Sequence, residues 1–133
     1  MVKQVAVFLE NKEGTASACC RVLKDVGVNL LALSIADTKD FGILRLLTSD
    51  NDKAVSALRG AGFLCSEVEL VGLEVPDKAG ALSDLLISLG EHNVNVEYMY
   101  SYAEADGHAK IVFKTSAVEK AVALLKEAGA KLL

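Results

Sequence analysis

The sequence predicts an α+β fold of two βαββαβ units in tandem, because the chain repeats itself and each half has the same order of strand and helix patterns. The repeat is clearest at one turn, where residues 11–14 (NKEG) align with residues 77–80 (DKAG). The same spacing aligns Val28-Asn29 with Val94-Asn95, and after one inserted residue the match continues to the end of each half. Self-similarity of this kind indicates an internal duplication.

Each half begins with the same three patterns. Apolar residues alternate over 5–9 and 71–75, which is typical of a half-buried strand. A turn and a segment with helical spacing follow, and these helices are predicted to end at Gly27 and Asn93, residues that can adopt a positive φ.

The second part of each half completes the unit. A second helix starts near residues 49–52 in the first half, and near a capping box at 116–119 (SAVE) in the second. The remaining predicted elements are second strands at 29–37 and 95–103, turns at Lys39-Asp40 and Asp106-Gly107, third strands at 43–48 and 109–114, and fourth strands at 63–66 and 131–133. This order is the ferredoxin-like arrangement, an antiparallel sheet with two helices on one face. We predict one such domain at 1–66 and another at 67–133.

Composition and charge exclude several classes of function. The chain has 133 residues, 52% hydrophobic and 24% charged, as expected of a compact globular protein. Its formal net charge is −4 without a basic stripe, so we expect no nucleic-acid partner. No signal peptide and no apolar run of roughly 20 residues is present, so we expect a cytoplasmic protein without a membrane partner.

The cysteines and histidines do not form a pattern typical of catalysis or metal binding. Cys19, Cys20 and Cys65 lack C-x-x-C spacing, and we interpret them as reduced, partly buried thiols. His92 and His108 lie far from them in the sequence, so no metal site is predicted. Because no catalytic triad, P-loop or dinucleotide motif is found, we expect neither an enzyme nor a cofactor.

The turn between the first strand and the first helix has functional potential in both halves. Asn11 and Asp77 each stand three residues before a glycine, Gly14 or Gly80, that opens a helix. Free N–H groups at a helix start attract a carboxylate or phosphate, and glycine lets a ligand approach the backbone. The alternative is that Asn11 and Asp77 are only N-caps and the glycines only satisfy an unusual φ.

Two further features allow more than one interpretation. Tyr98, Tyr100 and Tyr102 alternate along the second strand of the second half, where the first half has small residues at the aligned positions of 32–36. These rings either pack in a core or interface or line a ligand pocket. Arg45 either clamps a ligand carboxylate or reaches solvent from the sheet.

Both turns, together with the segments after the first helices, resemble ACT domains, the βαββαβ amino-acid-binding regulatory modules of many biosynthetic enzymes. The first half has ENKEG (10–14) followed by GVNL (27–30), and the second has PDKAG (76–80) followed by VNV (94–96). Residues 32–45 are similar to a subgroup of stand-alone proteins made of two ACT domains. The resemblance covers nearly the whole chain, twice.

The resemblance implies a regulatory protein that senses an amino acid and has no catalytic domain. In ACT regulators, the Asn or Asp of the turn and the Asn at the start of the second strand hold the polar groups of the ligand. The backbone at the helix start and the second strand completes a site at an interface between two domains. The implied ligand-binding residues are Asn11, Gly14, Thr15, Asn29 and Leu30 in the first half and Asp77, Gly80, Ala81, Asn95 and Val96 in the second.

The sequence departs from the family pattern in ways that concern the ligand. The proline common before the turn glycine is Glu13 or Ala79 here, and Leu9 stands where some serine-binding relatives have a histidine, which disfavours serine. Asp77 in place of asparagine favours an ammonium over a carboxylate, so the two sites can differ.

The implied partners are an amino acid and a second copy of the chain in a homodimer, since ferredoxin-like units expose sheet edges. The alternative is a protein-only regulatory subunit or adaptor that docks on an amino-acid biosynthetic enzyme.

Overall fold

The computed structural model of the protein describes residues 1–37 and 40–133, and within these ranges it has seven strands and four helices. Thr38, Lys39 and the side chain of Asp37 lie outside the described residues, and with Lys39 so does part of the turn predicted at Lys39-Asp40. The elements are β1 (Val2–Glu10), α1 (Thr15–Asp25), β2 (Leu30–Asp37), β3 (Phe41–Thr48), α2 (Asn51–Gly60), β4 (Leu64–Pro76), α3 (Ala81–Glu91), β5 (Tyr98–Ala105), β6 (His108–Lys114), α4 (Val118–Glu127) and β7 (Lys131–Leu132).

The chain divides into two compact units. The first unit is Lys3–Val68, and the second is Glu69–Leu133 together with Met1–Val2. In the first unit β3 pairs antiparallel with β1 and β2. In the second unit β6 pairs antiparallel with β4 and β5, and β7 pairs with β4. The predicted α+β, ferredoxin-like fold class is confirmed, while the domain limits at 1–66 and 67–133 stay a prediction.

The core of each unit lies between one sheet face and both helices. Val5, Val7 and Leu9 alternate along β1 and are buried with Leu23 of α1 and Leu58 of α2. The corresponding core of the second unit contains Val71, Leu73, Val75, Leu89, Phe113, Ala121 and Leu125. None of the helices within the described ranges is long and apolar enough to span a bilayer.

The helix ends show where local sequence signals hold and where they fail. Gly27 and Asn93 have φ of 73° and 60°, so the predicted positive-φ ends of α1 and α3 are confirmed. The prediction of a capping box at 116–119 is wrong, because the N-cap of α4 is Ala117, one residue later than the box requires. The Ala117 N–H donates to Thr115 Oγ1 at 3.2 Å, so the buried Thr115 fixes the start of the helix.

Gly72 marks a place in the second unit where both chain ends pass close to β4. A Cβ at Gly72 would lie 2.5 Å from Val2 Cγ2 and 3.3 Å from Leu133 Cβ. We predict that Gly72→Ala lowers the free energy of unfolding by about 1–3 kcal/mol, the usual cost of overpacking. Urea unfolding followed by circular dichroism measures this change.

A double-mutant cycle with Val2→Ala is the control, since this substitution removes the methyl group that the new Cβ meets. The first unit has Ala6 at the position aligned with Gly72, so the strand itself accepts alanine there. We expect Gly72→Ala to cost less in the Val2→Ala background. Equal costs in both backgrounds would contradict the overpacking explanation.

Candidate functional site

The two turns between strand and helix have the same backbone geometry. Gly14 and Gly80 are the N-cap residues of α1 and α3, with φ of 83° and 89°. This left-handed conformation is readily adopted by glycine and costly for most other residues. Asn11 and Asp77 are therefore not N-caps, so this part of the alternative interpretation is wrong, whereas the unusual φ that it expected of the two glycines is confirmed.

Each turn is held by a backbone hydrogen bond to the neighbouring hairpin. The Asn11 N–H donates to Asp40 O at 3.0 Å, and the Asp77 N–H donates to Gly107 O at 2.7 Å. The side chains of Asn11 and Asp77 are exposed at these anchored positions. The duplication thus places an amide in one turn and a carboxylate in the other, on matching backbones.

The first residues of α1 and α3 can offer a ligand mainly backbone groups. Thr15 is half-buried, and its hydroxyl donates to Glu10 O at 2.9 Å, so this side chain stabilises the turn. Ala81 has no polar side chain, and its N–H donates to Lys78 O at 3.3 Å. The turn of the second unit is therefore partly closed by its own backbone.

The asparagines of the second-strand segments, Asn29 and Asn95, follow the carboxyl ends of α1 and α3. The Asn29 N–H donates to Ser49 Oγ at 2.9 Å, and the Ser49 N–H donates to Asn29 O at 2.9 Å. These bonds fix the backbone at Asn29, whose side chain is exposed. Asn95 is also exposed, and the next residues, Leu30 and Val96, are half-buried.

Within one unit, the turn and the second-strand asparagine are far apart. α1 has 11 residues and is therefore about 16 Å long. Asn11 and Gly14 precede its first residue, and Asn29 follows its last. α3, also of 11 residues, separates Asp77 from Asn95 in the same way. A molecule as small as an amino acid cannot contact both groups of a single unit.

A shallow pocket of about 470 Å³ lies at the carboxyl end of α1. Its lining includes Asn29 and Leu30, as well as Cys20, Leu23 and Lys24 of the helix. Cys20 and Lys24 were not identified from the sequence, although they are four residues apart and so share one helix face. The pocket offers carbonyl groups of a helix end, an amide and an apolar wall.

The turn of the second unit has an acidic neighbour. Glu104 of β5 is hydrogen-bonded to Asp77, and this bond raises the pKa of Glu104 above its ordinary value. The negative charge of Asp77 and burial add to the same shift. Sequence reasoning did not bring these residues together, because their contact depends on the register of β5 and β6.

We predict that Asp77→Asn lowers the pKa of Glu104, since the amide has no charge and can donate to the Glu104 carboxylate. The pKa in the folded protein exceeds that of an unfolded chain, so the contact stabilises the fold below the ordinary glutamate pKa. That contribution is lost as pH rises through the folded-state pKa. An NMR titration of the Glu104 carboxyl carbon measures the shift.

Asp106→Asn is the matched control, because it removes a carboxylate from the adjacent hairpin turn without touching Asp77. This control should leave the pKa of Glu104 raised. The account is contradicted if Glu104 titrates identically in the wild-type protein and in Asp77→Asn.

The tyrosine stripe and Arg45 lie in partly buried positions. A register shift between Ser101 and Ala103 interrupts the regular alternation of β5 at Tyr102. Burial and the nearby Glu74 carboxylate raise the pKa of Tyr102. Arg45 is half-buried in β3, and the alternatives for it and for the tyrosines stay predictions.

The cysteines and histidines lie where inert or surface groups are found. Cys19 and Cys65 are buried and Cys20 is half-buried, so the predicted burial is confirmed. Burial raises the pKa of Cys19 to about 12, which keeps this thiol protonated and unreactive near neutral pH. His92 and His108 are exposed. No group of three or more His, Cys, Asp or Glu in the described part of the chain is placed to hold a metal.

Comparison with known proteins shows the family. A family model described as the ACT domain pair matches residues 1–131. The solved structure of protein BT0572 from Bacteroides thetaiotaomicron is 41% identical with a TM-score of 0.91, over 99% of this chain and 91% of that one. Among curated proteins, no sequence matches significantly.

More distant structures share the fold. The regulatory subunit of aspartate kinase from Thermus thermophilus has a TM-score of 0.66 at 12% identity, over 95% of this chain and 91% of that one. The corresponding subunit from Thermus flavus has a TM-score of 0.63 at 11% identity, over 93% and 88%. The chain belongs to the ACT domain family and is an ACT domain pair.

Proposed function

We propose that this protein is a non-catalytic regulatory protein that binds an amino acid and reports it through its assembly or its partner contacts. One observation supports the proposal above the others. The turn and the second-strand asparagine of the first unit are both exposed and anchored, yet lie at opposite ends of α1. We propose that the ligand contacts the turn of one protomer and Asn29 of the partner subunit in a homodimer.

The two ends of α1 have complementary chemistry for a zwitterion. The first-turn N–H groups have about half a positive charge, which suits the ligand carboxylate, and Gly14 leaves room for it. The carboxyl end has the opposite partial charge, and its carbonyls with the Asn29 amide oxygen suit the ligand ammonium. Leu23 and Leu30 supply an apolar wall for the ligand side chain.

The two halves do not offer equal sites. The first turn presents the neutral Asn11, whereas the second presents Asp77 hydrogen-bonded to Glu104. Two neighbouring acids disfavour a carboxylate at the start of α3. We therefore propose that the first unit supplies the amino-acid site, and that the second differs in the ligand it accepts.

The edge strand β2 supports pairing with a second copy. Leu31, Leu33 and Ile35 are 49%, 50% and 54% exposed along this strand. Exposed apolar residues on a sheet edge favour strand pairing with another chain. The same edge supports the second candidate function, a regulatory subunit or adaptor that docks on a biosynthetic enzyme without a small-molecule ligand.

Calorimetric titration of the full chain with each proteinogenic amino acid tests the proposal. We expect one amino acid, or a few related ones, to bind, with weaker binding in Asn11→Ala. Ser56→Ala, an exposed change in α2, is the control and should bind as the wild type does. If no amino acid binds, the sensor function is wrong and the adaptor alternative gains support.

A further inference from the structure

The helix α3 of the second unit exposes apolar side chains where α1 of the first unit does not. Leu82, Leu86 and Ile87 are 37%, 38% and 55% exposed. The aligned positions of α1 have an alanine, a cysteine and an arginine, and Gly90 stands where α1 has a lysine. Because exposed apolar residues that lie together indicate an interaction surface, α3 is a candidate for contact with a partner.

Leu82 and Leu86 lie on the flank of α3 that faces the β5 edge of the sheet. The helix α4 contacts both β7 and α3, and β7 and β5 lie at opposite edges of this sheet. α3 is therefore the helix nearer β5. Asp84 and Ser88, four residues apart, line a cavity together with residues of α4. Leu82 and Leu86 lie on the other side of the buried Leu89 and so point away from α4.

The strand β5 extends this apolar surface. Met99 is opposite Phe113 in the sheet register, and Ser101 is opposite Ile111. Since Phe113 and Ile111 belong to the core under the helices, Met99 and Ser101 lie on the helix side of the sheet. Met99 is half-buried, and Ser101 is small and exposed. We define the α3 surface as Leu82, Leu86, Ile87 and Met99.

Acidic side chains lie at both ends of the α3 surface. Glu104 is opposite Ala109, which packs against the core, so Glu104 is also on the helix side of β5. It is hydrogen-bonded to Asp77, in the turn before α3. The two charged residues of α3 are both acidic, and one of them, Glu91, ends the helix. Lys78 is the one basic residue of the turn, so acids are in excess and favour a cationic group.

These charges distinguish between the kinds of partner that an apolar surface can bind. The α3 helix of a second copy would place its own acids against those of the first, which is unfavourable. A membrane with anionic lipids would be repelled for the same reason. An amphipathic helix with basic residues satisfies both requirements, since it combines apolar residues at three- and four-residue spacing with cations at the edges.

We propose that the α3 surface binds a basic amphipathic helix of a partner protein. The apolar side of that helix contacts Leu82, Leu86 and Ile87, and a lysine or arginine lies next to Asp77 and Glu104. This contact goes beyond the proposed amino-acid site of the first unit and does not depend on it.

Three synthetic peptides of about 18 residues, or about five turns of helix, test the proposal on the full chain. The first has leucines along one side of the helix and lysines elsewhere. The second has glutamate in place of each lysine, and the third has the composition of the first with the leucine spacing scrambled. In calorimetric titration the first peptide should bind, and the others should bind at least about tenfold more weakly. Absence of binding by the first peptide, or equal binding by either of the others, overturns the proposal.

Two substitutions taken from the first unit locate the bound peptide. Ile87→Arg and Leu82→Ala introduce the residues that α1 has at the aligned positions, so a helix of this unit type accepts them. Ile87→Arg should weaken binding at least about tenfold, because it places a cation against a cationic helix. Leu82→Ala should weaken it through loss of apolar contact and keeps the test valid if Ile87→Arg fails to fold.

Leu64→Ala is the matched control, because Leu64 is an exposed apolar residue of the first unit. It should bind the first peptide as the wild type does. Wild-type affinity in both Ile87→Arg and Leu82→Ala overturns the proposal.

The other possible occupants of the α3 surface are tested with the same variant. If Ile87→Arg reduces the particle mass measured by light scattering, the surface is occupied by a second copy, and the proposal is wrong. It is also wrong if the wild type binds vesicles of phosphatidylcholine and phosphatidylglycerol and Ile87→Arg does not. Equal mass for both proteins, without vesicle binding, supports the partner helix.

Discussion

Phe113→Ala should lower the free energy of unfolding by about 3–5 kcal/mol, the largest stability effect that we expect from a single substitution. Phe113 has no exposed surface and lies in β6 opposite Val71 and Met99. Removing its ring loses the transfer free energy of the ring and leaves a void that rigid neighbours fill only partly. Because a domain is stable by only about 5–15 kcal/mol, the second unit should unfold at much lower urea concentration. Circular dichroism measures the transition.

Two variants distinguish this effect from a general loss of stability. Leu46 is aligned with Phe113, is also fully buried, and reports on the first unit, where Leu46→Ala should cost about 2–5 kcal/mol. Leu64 is 69% exposed, so Leu64→Ala should change stability by less than about 0.5 kcal/mol. A cost for Phe113→Ala as small as that of Leu64→Ala would contradict the described core.

Asn29→Ala should weaken binding of the amino acid by about 10- to 100-fold. A hydrogen bond to a charged group contributes about 1.5–3 kcal/mol, and each 1.4 kcal/mol corresponds to a factor of about ten in affinity. The Asn29 side chain is exposed, and its backbone is fixed through Ser49, so truncation should leave the fold intact. Calorimetric titration measures the affinity, and thermal unfolding checks the fold.

The matched control is Asn95→Ala, the same change at the aligned position of the second unit. If the first unit supplies the site, Asn95→Ala should bind the amino acid as the wild type does. Unchanged affinity in Asn29→Ala, or equal losses in both variants, would contradict the assignment of the site to the first unit.

Periodicity predicted the order of the elements because alternating and helical spacings follow directly from burial on one face. The sequence signals for helix ends were less reliable where a buried side chain formed a competing hydrogen bond with the backbone. At 116–119 the correct capping residues are present, but Thr115 accepts the hydrogen bond that determines where α4 begins. The separate strands predicted at 63–66 and 71–75 form the single strand β4, since nothing in the intervening residues favours a turn.

The candidate site was predictable only in part. Gly14 and Gly80 were identifiable because few other residues adopt their left-handed φ, whereas the contact of Glu104 with Asp77 depends on strand register. The pocket at the carboxyl end of α1 was predicted only at Asn29 and Leu30, because Cys20 and Lys24 join its lining only once the helix is placed beside them.

Mixing two binding-deficient variants tests the central claim most directly. Asn11→Ala and Asn29→Ala chains should each bind the amino acid weakly. If the site joins Asn11 of one protomer to Asn29 of the partner subunit, a mixed dimer has one site with both asparagines intact. Coexpression in equal amounts should then restore wild-type affinity in about one quarter of the sites, as expected for random pairing in a symmetric dimer. A mixture that binds no better than either variant alone would contradict a site shared between two copies.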